Sequence, residues 1–109
     1  MRTEKEKIEL YESIYNDDML WFILGSLISS DSFIGLKGNC LIKKYRENIT
    51  RLKEIIKIFP KTNIPDEHKN KVIELANSGL DILISEHNSI LKKFETNNII
   101  NKGKYKIYK

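Results

Sequence analysis

One cysteine, one alanine, two prolines and two histidines occur in 109 residues, and no apolar run is long enough to cross a membrane. Each shortage excludes something. A single thiol, Cys40, cannot close a disulfide within the chain, which suits a reducing compartment and leaves the fold dependent on its core. Such a lone cysteine is expected to behave as a small buried hydrophobe. The greasiest segment, residues 20–29 (LWFILGSLIS), holds seven large apolar side chains, whereas a helical bilayer span takes about 20. Asp17 and Asp18 precede it and Asp31 follows. A secretory leader needs a basic start running into the apolar stretch, and residues 1–18 carry six acids against three bases. Composition therefore points to a cytoplasmic protein with no membrane partner, and Asn48-Ile49-Thr50 is read as a chance glycosylation pattern.

Catalytic apparatus is equally scarce. There is no HExxH, no CxxC, no glycine-rich phosphate loop and no GxSxG. His68 falls in the polar first turn of an expected helix, a solvated position, and His87 lies on an apolar stripe, as a core histidine with one hydrogen bond would. Glu67-His68 and Glu86-His87 are neighbours in sequence, so on a helix they point about 100° apart and make no shared metal site. No enzyme activity, metal or cofactor is expected. The scarcity of alanine, only Ala76, beside 44 residues of Ile, Lys and Asn matches AT-rich codons. That bias suggests a low-GC bacterium, its phage or a large DNA virus, in which case the compartment is the host cytoplasm.

What the sequence does contain is helical periodicity. Leu41, Tyr45, Ile49, Leu52, Ile56 and Phe59 recur at spacings of three and four, predicting a helix over 39–59 that Pro60 stops. Gly35 and Gly38 would each cost about 1 kcal/mol in a helix interior, so a loop or broken turn is expected at 35–39. Pro65, Asp66 and Glu67 mark the next start. From there Val72, Ala76, Leu80, Leu83, His87, Ile90 and Phe94 form a second stripe. Asn77-Ser78-Gly79 interrupts it, as a kink, a close helix crossing or a break; the break divides it into helices 65–78 and 79–95. Ile8, Tyr11 and Tyr15 predict an amphipathic helix over 4–16, and LWFILGSLIS is the body of another over 18–30. Asn101-Lys102-Gly103 between Ile-Ile and Tyr-Lys-Ile-Tyr is a hairpin signal. The expectation is all-α: one helical domain over 1–95, a bundle of four to five helices, followed at 96–109 by a short β-hairpin or a basic tail.

Charge is unevenly spread. Residues 37–62 carry eight bases and two acids, and the tail adds four lysines. Arg46, Lys53 and Lys57 share one helical face, Lys61 extends their row, and Lys43 and Arg51 flank Glu47 at four-residue spacings that allow mutual neutralisation. With Lys102, Lys104 and Lys106 of the tail, that row offers a track for a phosphate backbone. The aromatics mostly fall at core spacing and do not alternate with the bases as a stacking platform would, Tyr105 and Tyr108 excepted.

Two functional expectations follow. The first is a non-catalytic binding protein that modulates a larger protein machine, such as a nucleic-acid-processing or defence complex. Phage and mobile-element inhibitors of defence (anti-CRISPR proteins) and toxin-immunity proteins are of this class. Its surface would be Trp21, Phe22, Leu24, Phe33, Ile34 and Leu36, more grease than four short helices can cover, and a second copy of the chain is an alternative occupant. The second is a nucleic-acid-binding regulator using Arg46, Lys53, Lys57, Lys61 and the tail lysines.

Overall fold

The computed structural model describes residues 2–109, and its elements are α1 (Glu4–Asn16), α2 (Leu20–Ile28), a 3-10 turn (Ser30–Phe33), α3 (Gly38–Ile58), a second 3-10 turn (Phe59–Lys61) and α4 (Asp66–Thr96). No strand occurs among the described residues. Each boundary has a local cause. The Thr3 hydroxyl accepts from the Glu6 amide at 3.2 Å and donates to its carboxylate, so Thr3-x-x-Glu6 caps α1. Asp18, in the left-handed region at φ 58°, turns the chain into α2. Gly35 and Gly38, at φ 81° and 54°, shape the loop ahead of α3. Pro60 ends α3 in a 3-10 turn, and Pro65 precedes the first turn of α4, which holds Asp66 and Glu67.

α4 runs unbroken for 31 residues. At 1.5 Å per residue it is ~46 Å long, close to the 48 Å long dimension of the molecule. The expected division into 65–78 and 79–95 is therefore corrected: of the three readings of Asn77-Ser78-Gly79, the close crossing applies. A Cβ on Gly79 would stand well inside the van der Waals contact distance of Ile28 Cγ1 and Cδ1 on α2. Glycine is there for proximity, and the helix continues because packing outweighs the ~1 kcal/mol propensity loss.

α3 and α4 pack along each other and α2 packs against both. Leu20, Leu24 and Leu27, spaced i, i+4, i+7, enter one core with Tyr45, Ile49, Leu52, Phe59, Val72, Ala76 and Leu83. The α3 stripe is broader than its sequence reading, because Ile42, Asn48 and Ile55 are buried while Leu41 and Ile56 are only half-buried. α3 is covered on more than one side, so no single 3.6-residue line describes its interior. Cys40 departs from expectation: two residues before the buried Ile42, it turns about 200° away from it and is exposed. α1 buries no residue fully and rests on the bundle through half-buried Tyr11, Ile14 and Tyr15.

The C-terminal segment after α4 returns over the bundle as an irregular strap. Asn101-Lys102-Gly103 does turn the chain, with the Lys104 amide donating to the Asn101 carbonyl at 3.1 Å and Gly103 at φ 84°. The segments on either side do not pair with each other, and the expected hairpin is absent. Their polar groups are claimed by helices instead. The Glu95 carboxylate accepts from the Gly103 amide at 2.7 Å, and Asn88 holds Tyr108 by both backbone groups. Ile100 enters a second small core with Ile42 and Leu91.

Candidate functional site

Two surfaces carry the residues singled out by sequence. On the first, α2 separates them by face. Leu24 is wholly buried and Phe33 nearly so, its ring stacked on Tyr45 at 3.9 Å between centroids and 7° between planes. Leu36 is half-buried. Leu24 and Phe33 are thus core residues and not contacts for a partner. Trp21 (44% exposed), Phe22 (73%) and Ile34 (76%) remain outside, joined by Met19 (50%), which sequence reasoning did not include. Trp21 and Phe22 line a shallow recess of about 560 Å³ with Gly25, Ser26, Ser29, Asp31 and Ser32. The recess is held in shape by the Ser32 hydroxyl, which donates to the Ser26 carbonyl, and by the Asp31 amide, which donates to Ser29 Oγ at 3.2 Å. Asp17 and Asp18 precede the patch and Asp31 edges it; among the described residues none of the three is in an ion pair.

A buried carboxamide sets the position of α2. Asn48 Nδ2 on α3 donates to the Leu27 carbonyl at 3.0 Å, satisfying an acceptor in the last turn of α2 inside the core.

The second surface lies between α3 and the strap, and here the basic row is largely engaged. Arg46 donates from Nη1 to the Lys106 carbonyl at 3.0 Å and to His87 Nε2 at 3.3 Å. Its guanidinium also stands 5.5 Å from the Tyr105 ring centroid and 4.9 Å from that of Tyr108. Lys53 Nζ is 4.7 Å from the Tyr108 ring, a cation–π contact. Lys61 pairs with Glu4 at 2.5 Å and, with Lys57 nearby, holds that carboxyl below its ordinary range. Lys57 is exposed, as are Lys102, Lys104 and Lys106; Lys104 Nζ is 5.8 Å from the Tyr105 ring. The structure therefore does not present Arg46, Lys53, Lys57 and Lys61 as one free track.

His87 is wholly buried beneath this strap, edge-on to Tyr108 at 4.9 Å. An arginine can only donate, so Nε2 accepts from Arg46, and Nδ1 donates to Asn88 Oδ1 at 2.9 Å. The orientation of the Asn88 amide is fixed in turn, because Nδ2 donates to the Tyr108 carbonyl at 2.7 Å and Oδ1 accepts from the Tyr108 amide at 2.9 Å. Burial holds the imidazole below its ordinary pKa of 6.5; the Asn88 hydrogen bond opposes this and the Arg46 charge adds to it. His87 is a neutral structural pivot. His68, on the opposite end of α4, is exposed and hydrogen-bonded to Tyr15 Oη at 2.5 Å.

Beside the strap, Lys43, Arg46, Glu47, Thr50 and Arg51 of α3 face Tyr105 and Tyr108 across a cleft of about 470 Å³. Lys43, Glu47 and Arg51 form no direct ion pair among the described residues. The Tyr105 hydroxyl is shielded and has no hydrogen-bond partner among those residues.

No family model, curated protein or solved structure matches this chain. Among the described residues no group of three His, Cys, Asp or Glu side chains is gathered to hold a metal, and no helix is long and apolar enough to cross a membrane.

Proposed function

We propose that this chain is a non-catalytic binding protein that modulates a larger protein assembly by docking the outer face of α2. The carrying observation is that Trp21 and Phe22 of α2 stand exposed along a recess while Leu20, Leu24 and Leu27 of the same helix are buried, with Met19 just before α2 and Ile34 after the 3-10 turn also exposed. Tryptophan and large apolar groups around a concavity are the residue types that dominate interface energetics, and water-exposed clusters of this kind mark interaction sites. The unpaired carboxylates of Asp17, Asp18 and Asp31 specify the partner's chemistry: an apolar knob ringed by lysine or arginine. The same three charges oppose a face-to-face second copy, which would set like charge against like. Inhibitors made by phages and mobile elements, and toxin-immunity proteins, work in this manner, gripping a machine without reacting with it.

Affinity purification from native cells, comparing the natural chain with Phe22→Ser/Ile34→Ser, tests the reading. A protein recovered with the natural chain and lost with the variant is expected, at unchanged thermal melting, because both side chains are already largely in water. An identical set of proteins in both samples, or none in either, overturns it.

A further inference from the structure

A different face carries an independent inference. The cleft between α3 and the strap combines three cations, Lys43, Arg46 and Arg51, with one carboxylate, Glu47, and two tyrosine rings. Its volume of about 470 Å³ falls in the range of small-molecule clefts, roughly 300–1,000 Å³. Arg46 is spent on the strap, where it fixes the two rings in place. Lys43 and Arg51 are exposed and without carboxylate partners among the described residues. Cationic side chains beside immobilised aromatic rings form the chemistry that takes phosphate and base together.

We propose that this cleft binds single-stranded nucleic acid, with phosphates on Lys43 and Arg51 and a base against the rings of Tyr105 and Tyr108. The geometry favours a strand over a free nucleotide. Lys43 and Arg51 are eight residues apart on one helix, ~12 Å along its axis, so two phosphates of one strand engage both while a single phosphate engages one. Lys104 and Lys106, exposed on the strap, continue the positive surface beyond the cleft. Readout is by charge and stacking, so little base preference is expected.

Fluorescence anisotropy of the full chain with a fluorescein-labelled oligothymidylate decides the matter. Binding is expected at low salt, with the logarithm of affinity falling against the logarithm of salt at a slope of roughly −1.4 for two phosphate contacts on a single strand. Lys43→Glu/Arg51→Glu should weaken it roughly tenfold or more, and Lys43→Arg/Arg51→Lys should retain it. At about 0.15 M salt, where the screening length is about 8 Å, the same reversal at Lys92 and Lys93, exposed on α4 and outside the lining of the cleft, should change it by no more than about twofold. Absence of binding at low salt, equal losses from both charge reversals, tighter binding of duplex DNA, or displacement of the strand by equimolar ATP would each overturn the assignment.

Discussion

Single residues carry much of the specificity of this fold, and Gly79 shows how. A methyl group there would overlap Ile28, and overpacking costs typically 1–3 kcal/mol against a helix-propensity gain of about 1 kcal/mol. Gly79→Ala should therefore lose about 1 kcal/mol in urea denaturation, and adding Ile28→Ala should show favourable coupling in a double-mutant cycle. Additive losses would place the strain elsewhere. His87 makes a second prediction. Its neutral form is sandwiched among Arg46 of α3, Asn88 of α4 and Tyr108 of the strap, and a proton on Nε2 would set two cations 3.3 Å apart. Its pKa is lower folded than unfolded, so below about 6.5 the unfolded chain binds the extra proton first. The stability contribution is complete above that pH and is lost as pH falls toward the folded value. Denaturation midpoints should drop as pH falls below about 6.5, and His87→Gln should flatten that fall. An unchanged slope in the variant would assign the loss to carboxylates such as Glu4, whose lowered pKa acts in a more acidic window.

At the scale of elements, the last turn of the strap is held by one carboxamide, which takes both backbone groups of Tyr108. Asn88→Ala removes both hydrogen bonds to the Tyr108 backbone, so the Tyr108 amide should lose its hydrogen-exchange protection while α3 amides keep theirs. Retained protection would show that the rings around Arg46 suffice. The same element shows where sequence reading stops. The Asn101-Lys102-Gly103 turn is legible because its chemistry is local, but whether the flanking strands pair depends on partners 20 to 60 residues away, such as Asn88 and Arg46. α3 is legible almost to the residue, Gly38–Ile58 against 39–59, since periodicity and Pro60 are local too. The division of α4 was expected because glycine weakens helices, and only the approach of Ile28 explains its presence. For the site, the apolar excess of α2 was readable while its division between faces was not: Leu24 and Trp21 look alike in a run greasy all round, and the core selects between them. The pairing of Lys43 and Arg51 with the strap tyrosines likewise exists only once the chain has folded back.

Over the whole molecule, stability is graded. α3 and α4 supply most of the buried residues, whereas α1 contributes none and is tied down at its edges. Those ties include Tyr11 Oη to Glu54 at 2.9 Å, Lys7 to Glu54 at 3.4 Å, Lys61 to Glu4, the Asn63 amide to Glu12 at 2.7 Å, and Tyr15 Oη to His68. Burial and the Glu54 carboxylate push the Tyr11 hydroxyl pKa well up, keeping it a donor. Partly exposed ties of this kind are worth about 0–1 kcal/mol each. Native-state hydrogen exchange should therefore find α1 opening as a separate unit at a lower free energy than α3 and α4; equal protection throughout would make the bundle one cooperative block. α2 stands apart from this gradation because of Asn48. Oily surfaces slide over one another at little cost, but a buried amide that must meet one particular carbonyl admits a single alignment. The bearing of Trp21 and Phe22 toward the outside world is thereby set from within, by a residue that no visitor to that face would ever touch.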